Sequence, residues 1–208
     1  MADDVPIPPF RDIEGDDQLE DTPLARTALA LGQSRVELWL RQNAFNHPLT
    51  LNVVTDFHRV LFEGVWPDFA GRLRGPAPRY LPARIQFGKY LAVAPELVPR
   101  ECTNLFGTLD KFCRQLDDMP SDDPGTDYLG EVFKVAAYAH CELIRIHPFR
   151  NGNGRTSRMC INYFAWRYGF NPISYDRPGD QSAYLDAIGV WLNRKRIEAF
   201  VDFLRDRI

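Results

Sequence analysis

The run "IHPFRNGNGRTSR", residues 146–158, constrains this chain more than any other stretch. Before it, "DYLGEVFKVAAYAHCELIRI" sets Val132, Phe133, Ala136, Ala139, His140 and Leu143 on one side of a helix. After it, "RTSRMCINYFAWRYGF" is apolar nearly all round from Met159 to Phe170, which predicts the buried central helix of the fold. Pro148 ends the first helix and predicts extended backbone for His147. Two helices must therefore meet across a short junction that holds one histidine, two Asn-Gly pairs and three arginines. Asn-Gly is also a hairpin signal, but hairpin turns need alternating apolar flanks, and these flanks are helical.

The junction has the chemistry of an anion site. Gly152, Asn153 and Gly154 present backbone N–H groups with little side-chain bulk at the positive end of the following helix. Arg155 and Arg158 are three residues apart and share a helix face. Side chains lean toward the helix amino terminus, so both guanidinium groups can reach one anion. Two forked cations and a nest of amides suit a di- or triphosphate better than a single carboxylate. His147, at the other lip, titrates near ~6.5 when unperturbed and can accept a proton from an incoming hydroxyl. Phe149, between polar neighbours, reads as the apolar anchor of the loop.

The rest of the chain reads as mainly α. "TPLARTALALGQSRVELWLRQ" begins with a Thr cap and an early proline, then continues at helical spacing. "LTLNVVTDFHRVLFEGV" aligns Leu51, Val54, Phe57 or His58, and Leu61; His58 there reads as a core or boundary residue and not a ligand. "GRLRGPAPRYLPARIQFGKYLAVAPELVP" breaks the helical period, and "RIQFGKYL" alternates loosely around a glycine, as a small hairpin does. "ECTNLFGTLDKFCRQLDDM" resumes helix, "PSDDPG" is a loop, and "PGDQSAYLDAIGVWLNR" and "RIEAFVDFLRDR" are amphipathic. Residues 1–21, with Pro6, Pro8, Pro9 and the acidic run "EGDDQLED", cannot build a core and read as a flexible tail ahead of a domain at 22–208.

Bulk properties exclude several classes. A net charge of −3, from 25 basic and 28 acidic residues, lacks the basic excess of a protein that wraps duplex DNA or adheres to anionic lipid. No nucleic-acid or membrane partner is expected. Cys102, Cys113, Cys141 and Cys160 show no zinc-type spacing and read as reduced, mostly buried thiols in a cytoplasmic protein. No apolar run approaches the ~20 residues that span a bilayer, and "MADDVPIPPF" is not a secretory signal. Export as an effector by another route stays open.

The junction resembles the signature of the Fic (Fic/Doc) family, HPFx[D/E]GNGRxxR, at His147, Pro148, Phe149, Gly152, Asn153, Gly154, Arg155 and Arg158. "DFHRVLFEGVWPDFAGRLR", "RIQFGKYL" and "DQSAYLDAI" resemble its helix-and-turn region, its flap and the segment behind the nucleotide base, so the resemblance covers about residues 50–204. It implies a Fic-type helical bundle with a small β-hairpin flap that transfers AMP from ATP to a Tyr, Thr or Ser hydroxyl of a target protein. His147 would be the base, and Gly152, Asn153 and Gly154 the anion hole for the α- and β-phosphates. Arg155 and Arg158 would hold the outer phosphates. The flap, with Ile85, Gln86, Phe87, Gly88, Lys89 and Tyr90, would pin the target segment by strand-like pairing.

One position departs from the signature. The acidic residue that binds Mg²⁺ in the family is Asn151 here; the resemblance still implies Mg²⁺ with ATP, and a neutral amide oxygen can ligate it, but Asn151 is a weak candidate because magnesium is usually held by carboxylate and phosphate oxygens. The resemblance therefore leaves other chemistry on the same scaffold open: kinase action, UMP or GMP transfer, phosphocholination, removal of AMP, or nucleotide or target binding with little catalysis. The family's inhibitory pattern [S/T]xxxE[G/N] has no match in the chain; Ser182 to Asp186 followed by Ala187 comes nearest. If the protein is toxic to its host cell, a separate antitoxin chain is the expected control.

Overall fold

The computed structural model describes residues 22–120, 127–173 and 180–207; the expected tail and most of the "PSDDPG" loop lie outside them. Among the described residues the element order is α1 (Pro23–Asn43), α2 (Leu51–Phe62), β1 (Gln86–Phe87), β2 (Tyr90–Leu91), a 3-10 turn (Pro95–Leu97), α3 (Val98–Asp117), α4 (Tyr128–Ile146), α5 (Asn153–Arg167), α6 (Asp180–Arg194) and α7 (Glu198–Arg205). The fold is mainly α, as expected.

Helix starts follow local chemistry. The Thr22 hydroxyl accepts the Ala25 N–H at 3.1 Å, with Pro23 beside it in the first turn. Thr50 accepts from Val53 at 3.3 Å, and the Asp127 carboxylate from Gly130 at 3.0 Å. On α2, Val54, Phe57, His58 and Leu61 are buried. At Gly32, α1 meets α2 so closely that a Cβ would lie 2.6 Å from the Val60 carbonyl oxygen.

α5 is buried all round from Met159 to Ala165, as its sequence implies, and α4 is enclosed as well. Helix α4 packs against α3, α5, α6 and α7, and buries Val135, Ala137, Cys141, Glu142, Ile144 and Ile146 besides its expected face. Ala136, Ala137 and Ala139 let neighbours approach from several sides, which a one-face reading cannot register. The only carboxylate among these buried side chains is answered. Glu142 accepts from Arg145 Nε at 2.9 Å and from the Trp191 indole at 3.2 Å, while Arg145 also reaches Glu101 of α3 at 2.7 Å. This network clamps the last turn of α4 to α3 and α6, directly ahead of His147.

The cysteines are free, with Cys102, Cys141 and Cys160 buried and Cys113 half-buried. Burial pushes the Cys102 thiol up to about 12, against the pull of Arg74, so it stays protonated and inert. No described helix is long and apolar enough to cross a membrane.

Candidate functional site

The junction between α4 and α5 is a loop clipped shut from inside. Asn153 does the clipping: its Oδ1 accepts the Phe149 N–H at 2.9 Å and its Nδ2 donates to the Phe149 carbonyl at 3.0 Å. Phe149 is buried, and its ring stacks on His58 with centroids 3.8 Å apart and planes 9° from parallel. The backbone N–H of Gly71 donates to His58 Nδ1 at 2.8 Å, so that nitrogen carries no proton. Nε2 therefore carries it and donates to the Asn151 carbonyl at 3.0 Å. His58 is a core residue, as its helical face implied, and it also braces the loop from below.

Gly152 turns the chain into α5 with φ 73° and ψ 10°, in the left-handed region. A Cβ there would lie 2.2 Å from the Phe62 ring. The first intrahelical bond of α5 runs from Thr156 N–H to the Gly152 carbonyl at 3.0 Å. The amides of Asn153 and Gly154 belong to the first turn, at the positive end of the helix. Both later arginines are half-buried: Arg155 lies 5.9 Å from the Phe62 ring centroid, and Arg158 lies 5.9 Å from that of Tyr184 on α6.

His147 is the C-cap of α4, and its backbone corrects the sequence expectation. Its φ and ψ are 55° and 58°, left-handed where the residue before a proline was expected to be extended. Two restraints outweigh the pre-proline preference. The His147 N–H closes the helix on the Leu143 carbonyl at 2.8 Å, and the His147 carbonyl accepts Arg74 Nε at 2.6 Å. A non-glycine residue held left-handed costs about 1–3 kcal/mol and persists where its surroundings over-determine it. The side chain is 1% exposed. Its Nδ1 lies 3.2 Å from the Ile144 carbonyl oxygen, which can only accept, so Nδ1 carries the proton and Nε2 is the basic nitrogen of the neutral ring.

The flap comes down on this imidazole. β1 and β2 pair antiparallel with Gln86 opposite Leu91 and Phe87 opposite Tyr90. Gly88 takes the first turn position at φ 53°, followed by exposed Lys89. Beyond the strands the pairing continues from the Ala92 N–H to the carbonyl of buried Ile85 at 3.0 Å. The Phe87 ring stacks on His147 with centroids 4.5 Å apart and planes 8° from parallel. The Tyr90 hydroxyl accepts from Asn193 Nδ2 of α6 at 2.8 Å, tying the flap to a third element.

Asn151 does not present its side-chain oxygen as a metal ligand. Oδ1 accepts the Gly152 N–H at 2.6 Å, and the loop offers no carboxylate beside it. No group of three or more His, Cys, Asp or Glu side chains converges among the described residues. The loop therefore supplies no carboxylate for a magnesium ion, which would have to be held largely by phosphate oxygens.

Sequence reasoning missed Arg74 and Asn193, and it did not foresee that His58 supports the loop. Each acts across a long sequence separation, where periodicity carries no signal.

The profile of the Fic/DOC family matches residues 48–165. The chain belongs to this family. The protein adenylyltransferase fic-1 of Caenorhabditis briggsae is 28% identical over 128 residues, 62% of this chain and 21% of that protein. The protein adenylyltransferase Fic of Aedes aegypti is 39% identical over 79 residues, 38% of this chain and 15% of that protein. The chain thus spans only a small part of the length of these curated relatives. Among solved structures, a Caenorhabditis elegans Fic-1 fragment superposes with a TM-score of 0.66 at 22% identity, over 94% of this chain and 50% of that one. The Bartonella tribocorum effector BepC, solved with bound AMPPNP, gives 0.60 at 18% identity, over 88% and 87%. At these identities the superpositions establish the fold.

Proposed function

We propose that the protein is a nucleotidyltransferase that moves AMP from ATP to a Tyr, Thr or Ser hydroxyl of a target protein. The observation that carries this reading is a basic His147 Nε2 across a short junction from the N-terminus of α5, whose first two turns carry Arg155 and Arg158. The α- and β-phosphates lie across the amides of Asn153 and Gly154, joined by that of Gly152 once Asn151 releases it, and Arg155 and Arg158 hold the outer phosphates. The target hydroxyl oxygen bonds to the α-phosphorus, the bond to the bridging oxygen breaks, and pyrophosphate leaves. The hydroxyl proton passes to His147 Nε2. The target segment lies along the flap, whose strand edge offers backbone pairing. With Asn151 turned onto Gly152, charge neutralisation falls to the arginines and the amides, and no step is assigned to a protein-held metal. Relatives named as adenylyltransferases support the reaction class.

The Asn151–Gly152 bond favours one second reading, a nucleotide-binding module with little transfer, because it occupies an amide that an α-phosphate would otherwise take. The test is host lysate incubated with wild type or His147→Ala and with ATP labelled at the α- or γ-phosphate. Label from α-ATP on a lysate protein, lost in His147→Ala, is the expected result. Label from γ-ATP alone would mean kinase action. No label from either, with ATP still bound, would favour the binding module.

A further inference from the structure

Arg74 is fully buried, with no carboxylate among the partners of its guanidinium. Four backbone carbonyls receive its hydrogen bonds. Nε donates to His147 O at 2.6 Å and one terminal nitrogen to Ile146 O at 2.8 Å, both at the C-terminal, negative end of α4. The other terminal nitrogen donates to Ala83 O at 2.8 Å, and the first also reaches Val93 O at 3.0 Å. Ala83 lies just before β1 and Val93 just after β2, so one planar fork joins both roots of the flap to the backbone of His147. The main chain reinforces the tie, since Arg74 N–H donates to the Pro148 carbonyl at 2.7 Å and Leu73 pairs with Phe149. A guanidinium suits this task because its donors are fixed in one plane, whereas an ammonium is a compact point charge on a flexible stem. Burial lowers its pKa only to about 10, against the weaker pull of Cys102, so it remains charged at neutral pH.

We propose that Arg74 is a positioning residue. It locks the two flap roots and the left-handed His147 backbone into one unit, so that a segment laid along the flap meets the imidazole at a set height. The inference rests on the reading of the site as a hydroxyl-modifying centre, but its test does not depend on turnover.

The test follows the His147 imidazole resonances and their pH titration by NMR, together with hydrogen exchange at the backbone amides, in wild type, Arg74→Met and Arg74→Lys. In Arg74→Met the His147 resonances shift, and exchange at flap amides such as Ala92 rises by roughly ten- to a hundredfold while α1 and α7 exchange as in wild type. Arg74→Lys restores part of both effects, because it keeps the charge and loses the fork. Unchanged His147 resonances and flap exchange in a folded Arg74→Met would overturn the proposal. So would exchange that rises equally in α1 and α7, since Arg74 would then hold the fold at large. Should Arg74→Met fail to fold, Arg74→Lys decides: flap-selective loosening supports the tie, and behaviour identical to wild type removes it. If wild type transfers no label from ATP, the reading of the site fails, while these readouts still decide the role of Arg74.

Discussion

Gly152 leaves no room for a methyl group, since a Cβ would sit 2.2 Å from the Phe62 ring on a residue already at φ 73°. Gly152→Ala therefore loses about 2–5 kcal/mol, the sum of a left-handed penalty and overpacking, measured by urea unfolding. Gly88→Ala is the control: φ is 53° but nothing lies within 4 Å, so only the backbone penalty of about 1–2 kcal/mol applies. At Asn153, replacement by Ala strips partners from both the N–H and the carbonyl of buried Phe149, and urea unfolding should register about 2–4 kcal/mol. The residue identities of the junction were legible because they are contiguous and chemically unusual. Their backbone was not: the pre-proline rule weighs local sterics, and at His147 the helix cap and a guanidinium from residue 74 override it.

At the scale of elements, helix positions were legible wherever one face is apolar and a Thr or Asp caps the start, as in α1 and α2. The all-round burial of α5 from Met159 was legible too, but the enclosure of α4 was not, because its alanines admit neighbours without adding to an apolar stripe. The flap was legible from alternation around Gly88, but nothing local announced that Phe87 would stack on His147 or that Tyr90 would reach Asn193. Two expectations belong here. Gly32→Ala drives a methyl group into the α2 backbone at Val60 and costs about 1–3 kcal/mol, read from thermal or urea unfolding. Phe87→Ala uncovers the imidazole while leaving the junction at residues 149–154, the proposed phosphate site, intact. It should lower target modification and leave ATP affinity, measured by calorimetry, unchanged.

For the whole molecule, His140 ties stability to pH on the acid side. This histidine lies buried at the heart of α4, stacked on Phe200 and edge-on to Tyr184. Burial lowers its pKa from 6.5 to about 3, against a weak opposing pull from the Ser157 backbone. The unfolded chain binds a proton below about 6.5 that the folded chain refuses until about 3, so the stability this neutral ring contributes is lost as pH falls through that window. At pH 5 the loss from this group is about 2 kcal/mol. His140→Leu should flatten the slope of unfolding free energy between pH 6.5 and 3, measured by urea titration at several pH values. The family assignment was legible because its signature is local, whereas the proposed activity depends on how loop, flap and arginines act together. The most direct check of that activity is mass spectrometry of the lysate protein modified in the presence of ATP. The account predicts the added mass of one adenylyl group, AMP less a water, on a Tyr, Thr or Ser side chain, absent when His147→Ala replaces wild type. An added single phosphate, or an AMP adduct that persists with His147→Ala, would contradict it.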